Sequence, residues 1–256
     1  MRYIGASVFS KCNNLSSIDL PNVEHIGSYA FESAALSSIY LPKAKTIECA
    51  FYSCSYLTTA SLPEVVRLSG TFNGCKALSS ICLPNAVSIG SYTFNNCTSL
   101  TLASLPSAMN IDFYAFNNCY NLTSLYLPMA EQIGSGAFGC CSQLSSVDLT
   151  HVKYLGTRAF ESCTALTSVQ LTDSLEEVCS NPFTGCDNLS YNMLNGDSYL
   201  GDSSNPYRLL VSCATTASIY FTNKRTPLIC ADAFYGEYTI QTLVVLGKIP
   251  QNLLAI

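Results

Sequence analysis

Apolar and polar positions along the chain follow one pattern that repeats about every 22 residues. The phenylalanines mark it: Phe9, Phe31, Phe51, Phe72, Phe94, Phe116, Phe138, Phe160 and Phe183. Six residues after most of them comes a leucine, as at Leu15, Leu57, Leu78, Leu100, Leu122, Leu144, Leu166 and Leu189. The second copy is one residue shorter, so Leu36 follows Phe31 by five. The unit then reads L-x-x-I-x-L-P, as in LSSIDLP (15–21), LSSIYLP (36–42), LSSICLP (78–84) and LTSLYLP (122–128). An apolar-glycine pair follows, at Ile26-Gly27, Ile89-Gly90, Ile133-Gly134 and Leu155-Gly156, and then the next Ala-Phe.

Alternation within I-x-L has period two, the strand period, so Ile18 and Leu20 point inward while Ser17 and Asp19 point outward. Pro21 ends the strand because it has no N–H to give a ladder. Neighbouring strands in a parallel sheet lie about 4.8 Å apart, so nine copies predict an array roughly 40 Å long. The G-x-x-A-F-x-x-C-x-x-L half is too short for a regular helix and is expected as a short helical turn or irregular segment on the opposite face. Burying an apolar side chain is worth about 1.5–3 kcal/mol, and each copy offers about five. That offsets the ordering cost only when neighbouring copies cover them. The expected fold is therefore an α/β solenoid.

The period and the L-x-x-L-x-L strand belong to the leucine-rich-repeat type. The longer unit I-G-x-x-A-F-x-x-C-x-x-L-x-x-I-x-L-P resembles the BspA-like leucine-rich repeat of bacterial cell-surface proteins. The resemblance runs over residues 4–194, about three quarters of the chain, in about nine copies. Departures are few. Ala34 stands for the cysteine in the second copy, Thr71 and Thr93 for the alanine before phenylalanine, and Thr150 and Thr172 for the proline. The resemblance implies a right-handed array, an extracellular or cell-surface location, and adhesion to host, matrix or microbial surfaces.

Residues 195–213 interrupt the pattern with a polar stretch, Asp197–Asn205, and apolar flanks, which reads as a hairpin-like insertion. Residues 214–256 read as a final degenerate repeat, with Ile240-x-x-Leu243-x-Val245 as a last strand, so 1–256 is expected to be a single domain. The chain opens in mid-repeat and ends on an apolar stretch, so a longer natural protein and a further cap are expected. No signal peptide is visible in MRYIGASVFSKC, which lacks an apolar core segment.

Composition narrows the function. Only 11% of residues are charged, against roughly 25% in ordinary globular chains, and Ser, Thr, Asn and Tyr take their place. The net charge of -5 is dispersed and leaves no basic stripe for nucleic acid. No run of about 18 apolar residues is present to insert in a membrane.

Of 14 cysteines, eight share one repeat position: Cys12, Cys54, Cys75, Cys97, Cys119, Cys141, Cys163 and Cys186. Copies one period apart carry parallel Cβ vectors, whereas a disulfide needs them to converge to about 3.8 Å. A column of free, buried thiols behaving as small hydrophobes is expected. No C-x-x-C exists, and His25 and His151 are too far apart to share a site, so neither a metal nor a cofactor is expected. Asp19 and Asp148 are six copies apart, about 29 Å, which excludes a glycosidase pair. With no Gly-rich phosphate loop, G-x-S-x-G or H-E-x-x-H, no catalytic residue is assigned and no enzyme is expected. Four N-x-S/T sequons, at Asn14, Asn96, Asn121 and Asn188, fall mostly where the repeat itself produces them.

The outward face of the strands remains. One of its columns is nearly all hydroxyl: Ser17, Ser38, Thr59, Ser80, Leu102, Ser124, Ser146 and Ser168. The next column, which also holds Cys82, varies, and it supplies the candidate ligand-binding residues Asp19, Tyr40, Ser61, Ser104, Tyr126, Asp148 and Gln170. Solenoids bind along such faces. The expected role is recognition of a protein or glycan ligand by a non-catalytic module; the other reading is a spacer array that presents a different domain.

Overall fold

The computed structural model describes residues 1–214, 219–222, 224–236 and 240–244. Each copy of the repeat forms one coil with up to two short strands. The strands that lead into the glycine position make the longest ladder. Tyr3–Ile4, His25–Ile26, Thr46–Glu48, Arg67–Ser69, Ser88–Ile89, Asn110–Ile111, Gln132–Ile133, Tyr154–Leu155 and Glu177–Val178 form a nine-stranded sheet in chain order. Every pairing in it is parallel and in repeat register, as with Ile111 between Ile89 and Ile133. At Gly27, Gly90, Gly134 and Gly156 a Cβ would lie only 2.4–2.8 Å from backbone atoms of the preceding coil. Glycine there permits the close approach.

The L-x-x-I-x-L strands make a second, interrupted ladder. Ser38–Tyr40 pairs with Thr59–Ser61, Ser80–Cys82 with Leu102–Ser104 and then Ser124–Tyr126, and Ser146–Asp148 with Ser168–Gln170. The first copy, LSSIDLP, forms no strand. The continuous sheet therefore runs through the half of the unit that sequence periodicity left as a connection.

The phenylalanine half corrects the α/β expectation. Among the described residues there is no helix, and the chain is a parallel β-solenoid with tight turns. The reason lies in the backbone. In most coils the residues two before and two after phenylalanine adopt positive φ, as at Tyr29 (60°) and Ser33 (55°), Gly70 (57°) and Gly74 (78°), and Tyr114 (53°) and Asn118 (62°). A right-handed helix cannot continue through a left-handed residue. The backbone groups so released turn toward the neighbouring coils. Phe9 donates to the Ala30 carbonyl (2.7 Å), Phe94 to Ala115 (2.7 Å) and Phe138 to Ala159 (2.7 Å). Even the turns are thus hydrogen-bonded coil to coil, which meets the demand of buried backbone for partners.

Side chains repeat this logic. The nine phenylalanine rings stack in one file, with centroids 4.8–5.7 Å apart. Leucine, isoleucine and alanine columns fill the space around the file. The two threonines that replace alanine beside it are fully buried, and each satisfies its hydroxyl. Thr71 donates to the Ile47 carbonyl (2.7 Å) and Thr93 to Gly90 (2.6 Å).

After Leu189 the chain leaves the ladder. Asn192–Leu194, Asp197–Leu200 and Leu209–Ser212 form an antiparallel meander. Its first turn is Asn195-Gly196, both at positive φ, as a two-residue hairpin turn with this sequence requires. Leu209–Ser212 then pairs in parallel with Leu228–Ile229, and Ile219–Phe221 with Thr242–Val244. Val245, expected to end the last strand, lies outside the described residues. The buried Arg208 guanidinium reaches back to the Asp173 carboxylate and ties this region to the array.

Candidate functional site

The interrupted ladder sets the varied column in register. Tyr40 pairs with Ser61, Cys82 with Ser104, Ser104 with Tyr126, and Asp148 with Gln170. Asp19 extends the column from a copy without a strand and is exposed. Tyr40 and Tyr126 are 55% and 56% exposed, which is high for residues held in strands. Ser61, Cys82, Asp148 and Gln170 are exposed too, while Ser104 is half-buried beside Tyr126. The column is thus a narrow strip with two tyrosines, small hydroxyls between them, and a carboxylate near each end. Beneath it Ile39, Ile81, Ala103 and Val147 face the core.

The two histidines are placed locally. His25 stacks on Tyr3, ring centroids 4.8 Å apart, and His151 lies 3.2 Å from the Thr150 hydroxyl. Among the described residues, no group of three or more His, Cys, Asp or Glu is arranged to hold a metal ion. No helix among them is long and apolar enough to cross a membrane.

From Cys54 onward the cysteine column is buried, and it does more than fill space; Cys12, in the first coil, is half-buried. Each of these later thiols donates to the carbonyl of the phenylalanine one coil back, as Cys54 does to Phe31 (2.8 Å), Cys97 to Phe72 (3.2 Å), Cys119 to Phe94 (3.1 Å) and Cys186 to Phe160 (3.0 Å). The same carbonyls also accept the N–H three residues on in their own coil, as Phe94 does from Cys97 (3.1 Å). Burial pushes the Cys54 thiol up to about 12 and raises Cys75, Cys97, Cys119 and Cys141 well above the ordinary range. Such thiols are poor nucleophiles and poor metal ligands.

Sequence reasoning missed this acceptor, because a carbonyl has no letter in the sequence. It also missed a file of side-chain amides. Asn117 donates to Asn95 (3.1 Å), and Asn95 to Asn73 (3.1 Å). Its signal was present in three consecutive copies, as FNGC, FNNC and FNNC.

Parallel strands stacked once per 20–23 residues around a phenylalanine file define a β-solenoid of leucine-rich-repeat type. The family model described as "BspA type Leucine rich repeat region" matches in six copies over residues 1–71, 68–190 and 131–253. The chain belongs to that BspA-type leucine-rich-repeat family. No curated protein matches it. Among solved structures, the T. pallidum leucine rich repeat protein is 26% identical, covering 79% of this chain and 81% of its own, with a TM-score of 0.51. A leucine rich cell surface protein from Faecalibacterium prausnitzii is 20% identical over 100% of this chain and 85% of its own, at a TM-score of 0.49. A leucine-rich repeat protein from Bacteroides ovatus is 24% identical over 73% and 69%, at 0.35.

Proposed function

We infer that this chain is a non-catalytic recognition module, displayed outside the cell or on its surface, that binds a protein or glycan ligand along the column Asp19, Tyr40, Ser61, Ser104, Tyr126, Asp148 and Gln170. The observation that carries this reading is the pair of strand tyrosines, each more than half exposed on a strip whose neighbours are small. Tyrosine offers contact area with a polar tip at a modest entropy cost. Small hydroxyls beside it leave room for a partner to reach the rings. From Tyr40 to Gln170 the paired strands hold these side chains in place before binding, which lowers the cost of association. Membership in a family of bacterial surface repeats supports the location and the adhesive role, and leucine-rich repeats are generally not enzymes.

The test is a binding screen of the folded chain against extracellular-matrix proteins and a glycan panel, repeated with a variant carrying Tyr40→Ala, Tyr126→Ala and Asp148→Ala. Loss of most of the affinity for a ligand found is expected. A ligand bound equally well by the triple variant places the site elsewhere on the coil.

A further inference from the structure

A second surface carries more chemistry than the strand face. The residue two before phenylalanine is left-handed in most coils, and in consecutive coils it is Tyr92, Tyr114, Gly136 and Arg158. Tyr92 and Tyr114 stack at 5.4 Å with their planes 19° apart. At the next coil the file is vacant. A Cβ on Gly136 would lie 2.4 Å from Cε1 of Tyr114, so the Tyr114 ring covers the backbone where a side chain would stand. The ring is thereby held between Tyr92 and the Gly136 backbone, yet stays 40% exposed.

On this spot opens a groove of about 620 Å³, lined by Tyr114, Gly136, Thr157, Arg158, Glu161 and Asp232 among others. That volume lies within the usual range for small-ligand sites. Its polar groups are mixed. The Arg158 guanidinium is 3.5 Å from Glu161, and both are substantially exposed. Asp232 accepts the Asn181 N–H (2.6 Å) through one oxygen. Thr157 adds a hydroxyl, flanked by Ser135 and Ser180 in the neighbouring coils.

We propose that this groove is a saccharide-binding site, separate from the strand face, for a neutral oligosaccharide. A fixed tyrosine ring suits the C–H face of a pyranose, which is apolar at the carbons and polar at its rim. Two carboxylates accept from sugar hydroxyls, while the guanidinium and hydroxyls donate to them. The groove holds two carboxylates against one guanidinium, so acidic sugars are disfavoured. A contrasting groove, of about 560 Å³ and lined by Glu24, His25, Pro42, Lys43, Lys45 and Glu64, has charges but no tyrosine in its lining.

The probes are neutral tetrasaccharides (cellotetraose, maltotetraose, mannotetraose and chitotetraose) with tetragalacturonate as the acidic control, read by saturation-transfer NMR and titration calorimetry. At least one neutral probe binds, and tetragalacturonate binds at least tenfold more weakly. Tyr114→Gly removes the ring and suits the left-handed backbone, so it folds and loses at least tenfold in affinity. Gly136→Ala displaces the ring without deleting it and also weakens binding, whereas the strand-face variant Tyr126→Ala leaves it unchanged. The proposal is overturned if no neutral probe binds, if tetragalacturonate binds best, or if Tyr114→Gly binds as well as the parent. Loss of binding in Tyr126→Ala alone would transfer the sugar to the strand face and leave this groove without a role.

Discussion

Thiol chemistry separates the core from the surface in a single experiment. Cys82 sits exposed on the strand face, whereas Cys75, Cys97, Cys119 and Cys141 are fully buried and hydrogen-bonded to backbone carbonyls. The thiolate is the reacting species, so protonation sets the first part of the contrast. Moving Cys54 from the ordinary 9.0 to about 12 lowers its thiolate fraction near neutral pH about a thousandfold. Reagent access sets the second part, since a fully buried sulfur reacts only when its coil opens. A brief pulse of iodoacetamide on the native, reduced protein, followed by peptide mass spectrometry, reads every cysteine separately. Cys82, being exposed, is expected to be alkylated within the pulse. Cys54, Cys75, Cys97, Cys119 and Cys141 are expected to stay unmodified until denaturant is added, and then to react together. Alkylation of Cys119 at a rate within tenfold of Cys82 in the native protein refutes both the burial and the carbonyl bonds.

The same thiols make stability fall in alkali. Buried thiols remain protonated in the folded chain above the pH at which unfolded ones ionise, so unfolding releases protons above about pH 9. The contribution is complete below that pH and is lost as pH rises toward the folded values, by about 1.4 kcal/mol per pH unit for each ionising thiol. Urea midpoints near pH 8 and near pH 10, under reducing conditions, check it, and a flat profile contradicts it. At the left-handed positions two substitutions should have opposite signs. Ser53→Gly (φ 58°) relieves backbone strain and stabilises by up to about 1 kcal/mol. Gly74→Ala (φ 78°), whose new Cβ meets Ser53 Oγ at 3.1 Å, costs about 1–2 kcal/mol in the same assay. In the aromatic file, Phe116→Ala should cost about 3–5 kcal/mol by thermal or urea unfolding. Phe9→Ala should cost less, since Phe9 is only partly buried.

Much of the fold was legible because a solenoid writes its contacts at one fixed spacing. Phe94 touches Phe72 and Phe116, and those letters stand 22 residues away on either side. The inward and outward alternation of L-x-x-I-x-L could be read for the same reason, and Ile39, Ile81 and Val147 are buried where it put them. The turn half was not legible. Its conformation depends on backbone angles that Ser33, Cys49, Tyr92 and Arg158 all adopt, although none is a residue that announces a left-handed turn. Neighbouring coils impose that geometry through hydrogen bonds such as Phe72 N–H to the Thr93 carbonyl (2.8 Å), and no single copy contains the constraint. The strip on the strand face could be located by parity. The Tyr114 groove could not, because it requires a vacancy at Gly136 beside a ring one coil earlier and a carboxylate, Asp232, from far along the chain.

That division has a consequence for recognition. Each interior position is constrained by its copy in the coil before and the coil after, so Phe, Leu and Cys recur because a change in one coil opens a gap against two others. An outward strand position bears no such load. Tyr40, Cys82 and Asp148 occupy equivalent places with no shared size, charge or polarity, and the backbone beneath them keeps the same register. The chemistry of this face can therefore change at a single side chain without cost to the coil. The left-handed corners allow a second kind of change, since replacing one tyrosine of the file by glycine leaves the backbone satisfied and opens a space one coil wide. Gly136 is that space, and it forms a groove because the coil before it carries the Tyr114 ring; at Gly70 the coil before offers only the Cys49 thiol, so a vacancy alone does not build such a site.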